Sequence, residues 1–135
     1  VATGAIAHGM LVADRLNLPY IYVRPKPKDH GLGNQIEGLI EKGKKVVVVE
    51  DLISTGGSSL KAVEALREAE FSVLGLVAIF TYGFDLAKAA FEQSKCECSV
   101  LTNYETLLSV AVKNGNIKNS EVEQLTEWRK SVNKQ

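Results

Sequence analysis

Four consecutive valines, Val46-Val47-Val48-Val49, constrain what this chain can fold into more than any other feature. A run that is apolar at every position buries both faces of a strand, as happens in a parallel sheet covered by helices on either side. The rest of the chain agrees. Ile6 to Asn17 carries Ile6, Met10, Ala13 and Leu16 at helical spacing and stops at Leu18-Pro19. Tyr20 to Val23 reads as a strand, and Pro25 to Lys45 has no core period. Ser58 to Glu70 reads as a helix with Leu60, Val63 and Leu66 inward and Lys61, Glu64, Arg67 and Glu68 outward. Then come a strand at Val73–Phe80, a helix at Phe84–Gln93, a strand at Cys98–Leu101 and helices at Tyr104–Lys113 and Ser120–Lys130. Strands alternating with helices of about ten residues make βαβ units with right-handed crossovers, so the expected class is α/β with a parallel sheet in three layers. With 135 residues, no internal repeat and no low-complexity tract, a single domain over 1–135 is expected.

Composition excludes several function classes. Sixteen basic residues balance sixteen acidic ones, so no net field attracts nucleic acid or an anionic membrane. Any anion site must be built locally. No apolar run approaches the ~20 residues of a membrane span, and there is no signal peptide, so the expected compartment is the cytoplasm. Cys96 and Cys98, one residue apart on a predicted strand, point the same way and make a poor disulfide; they read as reduced thiols. The chain opens at Val1, without a methionine, inside what reads as a strand-to-helix turn. It therefore reads as part of a longer protein.

The valine run leads into Glu50-Asp51-Leu52-Ile53-Ser54-Thr55-Gly56-Gly57-Ser58-Ser59. In open parallel sheets, ligands sit beyond the carboxyl ends of the strands. Glu50 and Asp51 arrive there with opposite side-chain directions, so at least one faces the crevice. Gly56 and Gly57 let the backbone come close to a ligand. Unpaired N–H groups at the helix start, with the hydroxyls of Ser54, Thr55 and Ser58, suit a phosphate. Carboxylates accept from ribose hydroxyls and also hold Mg²⁺, usually through water. A Gly-Gly-Ser turn by itself is equally an ordinary connection with Ser capping the helix; the acids in front of it favour a ribose 5-phosphate. The Gly-Lys-Ser/Thr ending of a Walker A loop is absent.

This stretch resembles the phosphoribosyl-pyrophosphate (PRPP) signature of the type I phosphoribosyltransferases, a family with a parallel-sheet, three-layer, Rossmann-like core. The resemblance implies that Glu50 and Asp51 take the ribose hydroxyls and fix the ring, with Asp51 counted among the catalytic residues and as the Mg²⁺ contact through water. It implies that Ser54, Thr55, Gly56, Gly57 and Ser58 take the 5-phosphate.

A long loop, 24–38, carries Arg24, Lys26, Lys28 and His30 with Gly31, Gly33 and Gly38 as hinges. Taken alone it is either a solvated surface loop or a mobile cationic lid suited to pyrophosphate. The order Arg-x-x-x-Lys-Asp-His-Gly resembles the catalytic loop of orotate phosphoribosyltransferases, which closes over the neighbouring subunit of a dimer. That resemblance implies catalytic roles for Arg24, Lys28 and His30 against pyrophosphate oxygens. The chain departs from many members at Pro25, where a second lysine is common and Lys26 is the available replacement, and at Leu32, where a Glu is common.

Val1 to Ala7 reads as a strand end and turn opening a helix, and Thr3, Gly4 and Ala5 align with the family's pyrophosphate loop. Members usually have a preceding hood and leading strand, which this chain lacks. Many also place an arginine after the strand equivalent to Val73–Phe80, where this chain has Thr81-Tyr82-Gly83-Phe84. The implied reaction is orotate plus PRPP giving orotidine 5′-monophosphate and pyrophosphate with Mg²⁺, in a homodimer of pyrimidine biosynthesis. A purine phosphoribosyltransferase and a non-catalytic PRPP-binding regulator of the same fold are the alternatives. A chain inactive by itself is a third.

Overall fold

The computed structural model describes residues 1–26 and 35–132. Lys28, His30, Gly31, Leu32 and Gly33 lie outside the described residues. The elements run α1 (Ile6–Leu16), β1 (Tyr22–Val23), β2 (Ile36–Glu37), β3 (Lys45–Ile53), α2 (Gly57–Glu68), β4 (Ser72–Thr81), α3 (Asp85–Gln93), β5 (Cys98–Asn103), α4 (Tyr104–Lys113) and α5 (Asn119–Val132). The chain is α/β, as the alternation of patterns requires.

Strands β3, β4 and β5 form a parallel sheet in that order. Its register puts Val48 beside Leu76 and Leu76 beside Cys98, and Glu50 beside Ala78 and Ala78 beside Val100. These residues share one face, and α2 covers it with Leu60, Val63 and Leu66, all buried. Phe71, Ala87, Phe91 and Cys96 complete that core. Burying a Val, Leu or Phe side chain stabilises by about 1.5–3 kcal/mol, so this layer holds the β3–α2 junction firmly in place. The opposite face is less covered, with Val47 53% exposed, although the valine run predicts a strand buried on both sides.

Three expectations need correction. The strand expected at Tyr20–Val23 is only Tyr22–Val23, and it pairs antiparallel with Ile36–Glu37 and not with the parallel sheet. That pairing also closes the base of the 24–38 loop, in which Ile36 and Glu37 are strand. In α1 the helix stands where the spacing puts it, but Met10 and Leu16 are 52% and 62% exposed. The small residues Gly9 and Ala13 are its buried positions, and a Cβ on Gly9 would lie 3.0 Å from the Tyr20 ring. Close approach, not bulk, seats this helix. Cys96 precedes β5 and does not lie on it; both thiols are free.

At the other end, α5 is held by aromatic rings. Trp128 lies 5.7–6.4 Å between centroids from Tyr82, Phe84 and Tyr104, and Tyr82 stacks on Phe84 at 5.4 Å. Arg129 pairs with Glu105 at 2.8 Å and lies over the Tyr104 ring. Such ring contacts contribute about 0.5–1.5 kcal/mol each beyond their area, enough to dock a helix that has no buried residue of its own.

Candidate active site

Three segments meet at the carboxyl-terminal part of β3. The first is the turn before α1. Val1 N donates to Val49 O at 2.8 Å and Ala2 N to Val23 O at 2.8 Å, so the first two residues lie between β3 and β1. Thr3 and Gly4 are then exposed at the turn, while Ala5 is fully buried and anchors it. A methyl group on Gly4 would overlap the Asp51 carboxylate, lying 2.6 Å from its Cγ. The structure thus brings Gly4 against the Asp51 carboxyl group, while Ala5 is buried behind the turn with its N–H donating to Val1 O at 3.1 Å.

The acid pair is the second segment, and its two members differ sharply. Asp51 is half-buried on the α1 side of β3, and its Oδ1 accepts from Leu52 N–H at 2.9 Å. Glu50 points to the α2 side and is 5% exposed. Its Oε1 accepts from Asp51 N–H at 3.1 Å and its Oε2 accepts from Ser59 Oγ–H at 2.9 Å. Burial pushes the Glu50 carboxyl above the usual carboxylate range, and the neighbouring Asp51 side chain adds to that. The Ser59 and Asp51 hydrogen bonds pull it back. The alternating strand directions foresee this split; Ser59 as the inward partner is not among the residues the sequence singles out. Its signal was available: Ser59 precedes Val63 by one helical turn and so shares the face that packs on the sheet.

The third segment is the loop into α2. Gly56 is the N-cap, with φ of 84°, and no side chain caps the helix. The first N–H groups of α2 therefore remain open to an anion, with the exposed Ser54, Thr55 and Ser58 hydroxyls around them. A left-handed residue is needed here, and a Cβ on Gly56 would lie 3.0 Å from Phe91, so glycine is required twice over.

The loop cations are partly accounted for. Arg24 Nη1 pairs with Glu37 Oε1 at 3.3 Å, and Arg24 and Gln35 exchange hydrogen bonds at 2.8 Å. Arg24 thus stands at the base of the loop, engaged with its return strand. Lys26 is exposed, and Lys28 and His30 are outside the described residues.

A cavity of about 540 Å³ runs along α3, lined among others by Phe84, Phe91, Cys96, Cys98 and Val100. It touches Ile53 and Thr81 but not Gly4, Asp51 or the 54–58 loop, so it is separate from the acid pair and the turn before α2. Burial pushes both thiols lining it up from their ordinary value. Among the described residues, no group of three or more His, Cys, Asp or Glu side chains could hold a metal by itself. No helix among them is long and apolar enough to cross a membrane.

Comparison with known proteins bears on this arrangement. The phosphoribosyl transferase domain model matches residues 1–113. An orotate phosphoribosyltransferase of Bacteroides fragilis is 60% identical over 130 residues, which span 96% of this chain and 61% of the relative. The chain thus spans about three-fifths of the length of the curated relatives it matches. Among solved structures, orotate phosphoribosyltransferase from Aeropyrum pernix superposes with a TM-score of 0.72 at 34% identity, covering 81% of this chain and 60% of that one. Leishmania donovani UMP synthase superposes with a TM-score of 0.79 at 25% identity, covering 96% of this chain and 28% of that one. An acid pair at a buried strand end, an uncapped helix behind it and a glycine turn against Asp51 are what that family model spans: the chain belongs to the phosphoribosyltransferase family.

Proposed function

We propose that this chain is the PRPP-binding core of an orotate phosphoribosyltransferase, transferring 5-phosphoribosyl from PRPP to orotate in pyrimidine biosynthesis. The observation that carries the reading is the contact of the Gly4 turn with Asp51 next to the open N-terminus of α2. One ligand with a phosphate, a sugar diol and a pyrophosphate fits all three segments. The orotate part rests on the resemblance of the Lys28-Asp29-His30-Gly31 loop and on relatives that carry that name.

In this reading the open N–H groups of α2 and the Ser54, Thr55 and Ser58 hydroxyls hold the 5-phosphate. Asp51 accepts from the ribose hydroxyls and fixes the ring as the anomeric carbon becomes cationic. Glu50 braces that position from the buried side and contributes to ribose recognition. The backbone of Thr3 and Gly4 faces the pyrophosphate, with the buried Ala5 anchoring that turn, and Arg24, Lys26, Lys28 and His30 neutralise the charge that develops on it. Orotate is already an anion at neutral pH, so no strong general base is needed.

Mg²⁺ fits the donor set. One accessible carboxylate, Asp51, beside a phosphate-rich ligand suits a small hard ion that keeps its waters and takes most of its ligands from substrate. When bound it supplies charge neutralisation on the leaving pyrophosphate. The reading extends to a cytoplasmic homodimer in which loop 24–38 closes over the neighbouring subunit.

Pyrophosphate release from PRPP and Mg²⁺ with orotate, and with adenine, hypoxanthine and uracil in parallel, tests the reading. Release with orotate alone is expected of the chain within its complete protein. Release with a purine instead overturns it, and PRPP binding without release from any base points to a regulator.

A further inference from the structure

Behind the acid pair lies a polar contact sealed within apolar core. Ser59 is 1% exposed and Glu50 5%, and Val48, Ala78, Leu60 and Val63 of the surrounding layer are all buried. Each Glu50 oxygen has one donor: Ser59 Oγ–H at 2.9 Å on Oε2 and Asp51 N–H at 3.1 Å on Oε1. The contact thus forms a chain from α2 through the Glu50 carboxylate to the backbone that carries Asp51.

This arrangement is not what stability alone selects. A buried polar pair stabilises no more than apolar groups of the same shape, and often less. Nor is Ser59 a helix cap, since no side chain caps α2. What the contact does supply is position. Without the hydroxyl, a carboxylate oxygen is left unpaired in the core, at a cost that favours rotation of the carboxyl group. That movement takes its other oxygen away from Asp51 N–H.

We propose that Ser59 is a positioning residue for PRPP: it pins the Glu50 carboxylate and, through the Glu50–Asp51 hydrogen bond, fixes Asp51 against the Gly4 turn. Ser59 lies one residue beyond the loop assigned to the 5-phosphate, and its hydroxyl is turned to Glu50 inside the core. Its effect is therefore on ribose recognition, at second hand. The inference rests on the PRPP reading of the site.

Calorimetric titration with PRPP and Mg²⁺ of the wild type, Ser59→Ala, Glu50→Gln and the double variant tests it, with thermal unfolding of each followed alongside. Ser59→Ala is expected to weaken PRPP binding about tenfold, the size of one lost hydrogen bond to a charged group. In the Glu50→Gln background, where that charge is gone, the same change is expected to cost less than about threefold. Ser59→Cys, which keeps the volume and weakens the donor, falls between wild type and Ser59→Ala. Equal losses in both backgrounds, or full affinity in Ser59→Ala, overturn the proposal, because a general loosening of α2 acts without reference to Glu50. A wild type that does not bind PRPP removes the underlying reading instead, and the two failures are told apart by that first titration.

Discussion

Replacing Gly4 by alanine separates the site from the fold. The alanine methyl would lie 2.6 Å from Asp51 Cγ and 3.1 Å from Oδ1. Ordinary carbon separations are about 3.5–4.0 Å, so the carboxyl group must move by roughly 1 Å. A hydrogen bond near 2.8 Å does not survive such a shift. The loss expected is that of a charge-assisted hydrogen bond to a ribose hydroxyl, about 1.5–3 kcal/mol, or about ten- to hundredfold in PRPP affinity. Stability should hardly change, because the group that gives way is the end of a side chain and Gly4 has no left-handed φ that alanine would strain. Calorimetry with PRPP and Mg²⁺ measures the loss and a thermal melt checks the fold. In an Asp51→Ala background there is no carboxylate to displace, so Gly4→Ala should cost nothing further. Wild-type affinity in Gly4→Ala, or a loss undiminished without the carboxylate, refutes the reasoning.

Gly56→Ala should destabilise by about 1–3 kcal/mol in urea unfolding, since it forces a side chain into a left-handed residue and against Phe91. An unchanged midpoint would mean the turn can be rebuilt. Trp128→Ala should lower stability by about 2 kcal/mol, less than a fully buried tryptophan because Trp128 is 45% exposed, and should reduce helical circular dichroism as α5 comes away. Full retention of helix would place the anchoring of α5 elsewhere. Glu50 gives a pH dependence. Its folded-state carboxyl titrates above the ordinary carboxylate value, so the folded chain holds more protons there than the unfolded one. This contribution to stability is therefore full at low pH and is lost as pH rises from the unfolded value through the folded one. Urea midpoints between about pH 4 and 7 should show that slope, and Glu50→Gln should flatten it.

The valine run, the acidic strand end and the glycine turn were legible because strand and helix periods there are uninterrupted and the turn chemistry is local. Helix α4 begins and ends where its pattern does, with Asn103 accepting from Thr106 N–H as the cap. Other parts depend on partners far away in the chain. Ile36–Glu37 is too short to show any period, and only its antiparallel pairing with Tyr22–Val23 makes it a strand. Helix α1 misleads because its apolar residues are not its packed ones; Gly9 and Ala13 are buried by being small. At the site, alternation tells that Glu50 and Asp51 diverge but not which one meets water. Register decides it, by placing Glu50 beside Ala78 under α2. The ring cluster draws Tyr82, Phe84, Tyr104 and Trp128 from three parts of the sequence, and no local pattern joins them.

That cluster also makes the protein its own optical probe. Trp128 is the chain's one tryptophan, so all indole emission comes from a single half-exposed ring packed on Tyr82, Phe84 and Tyr104. Tyr82 N–H donates to Ile53 O at 3.1 Å, and Ile53 immediately precedes the loop that leads into α2. A change in that loop on taking up a ligand is thus two contacts from the fluorophore. If the proposed phosphate ligand moves that loop, the emission wavelength of Trp128 and its quenching by iodide are expected to report it, without a label and without a mutation.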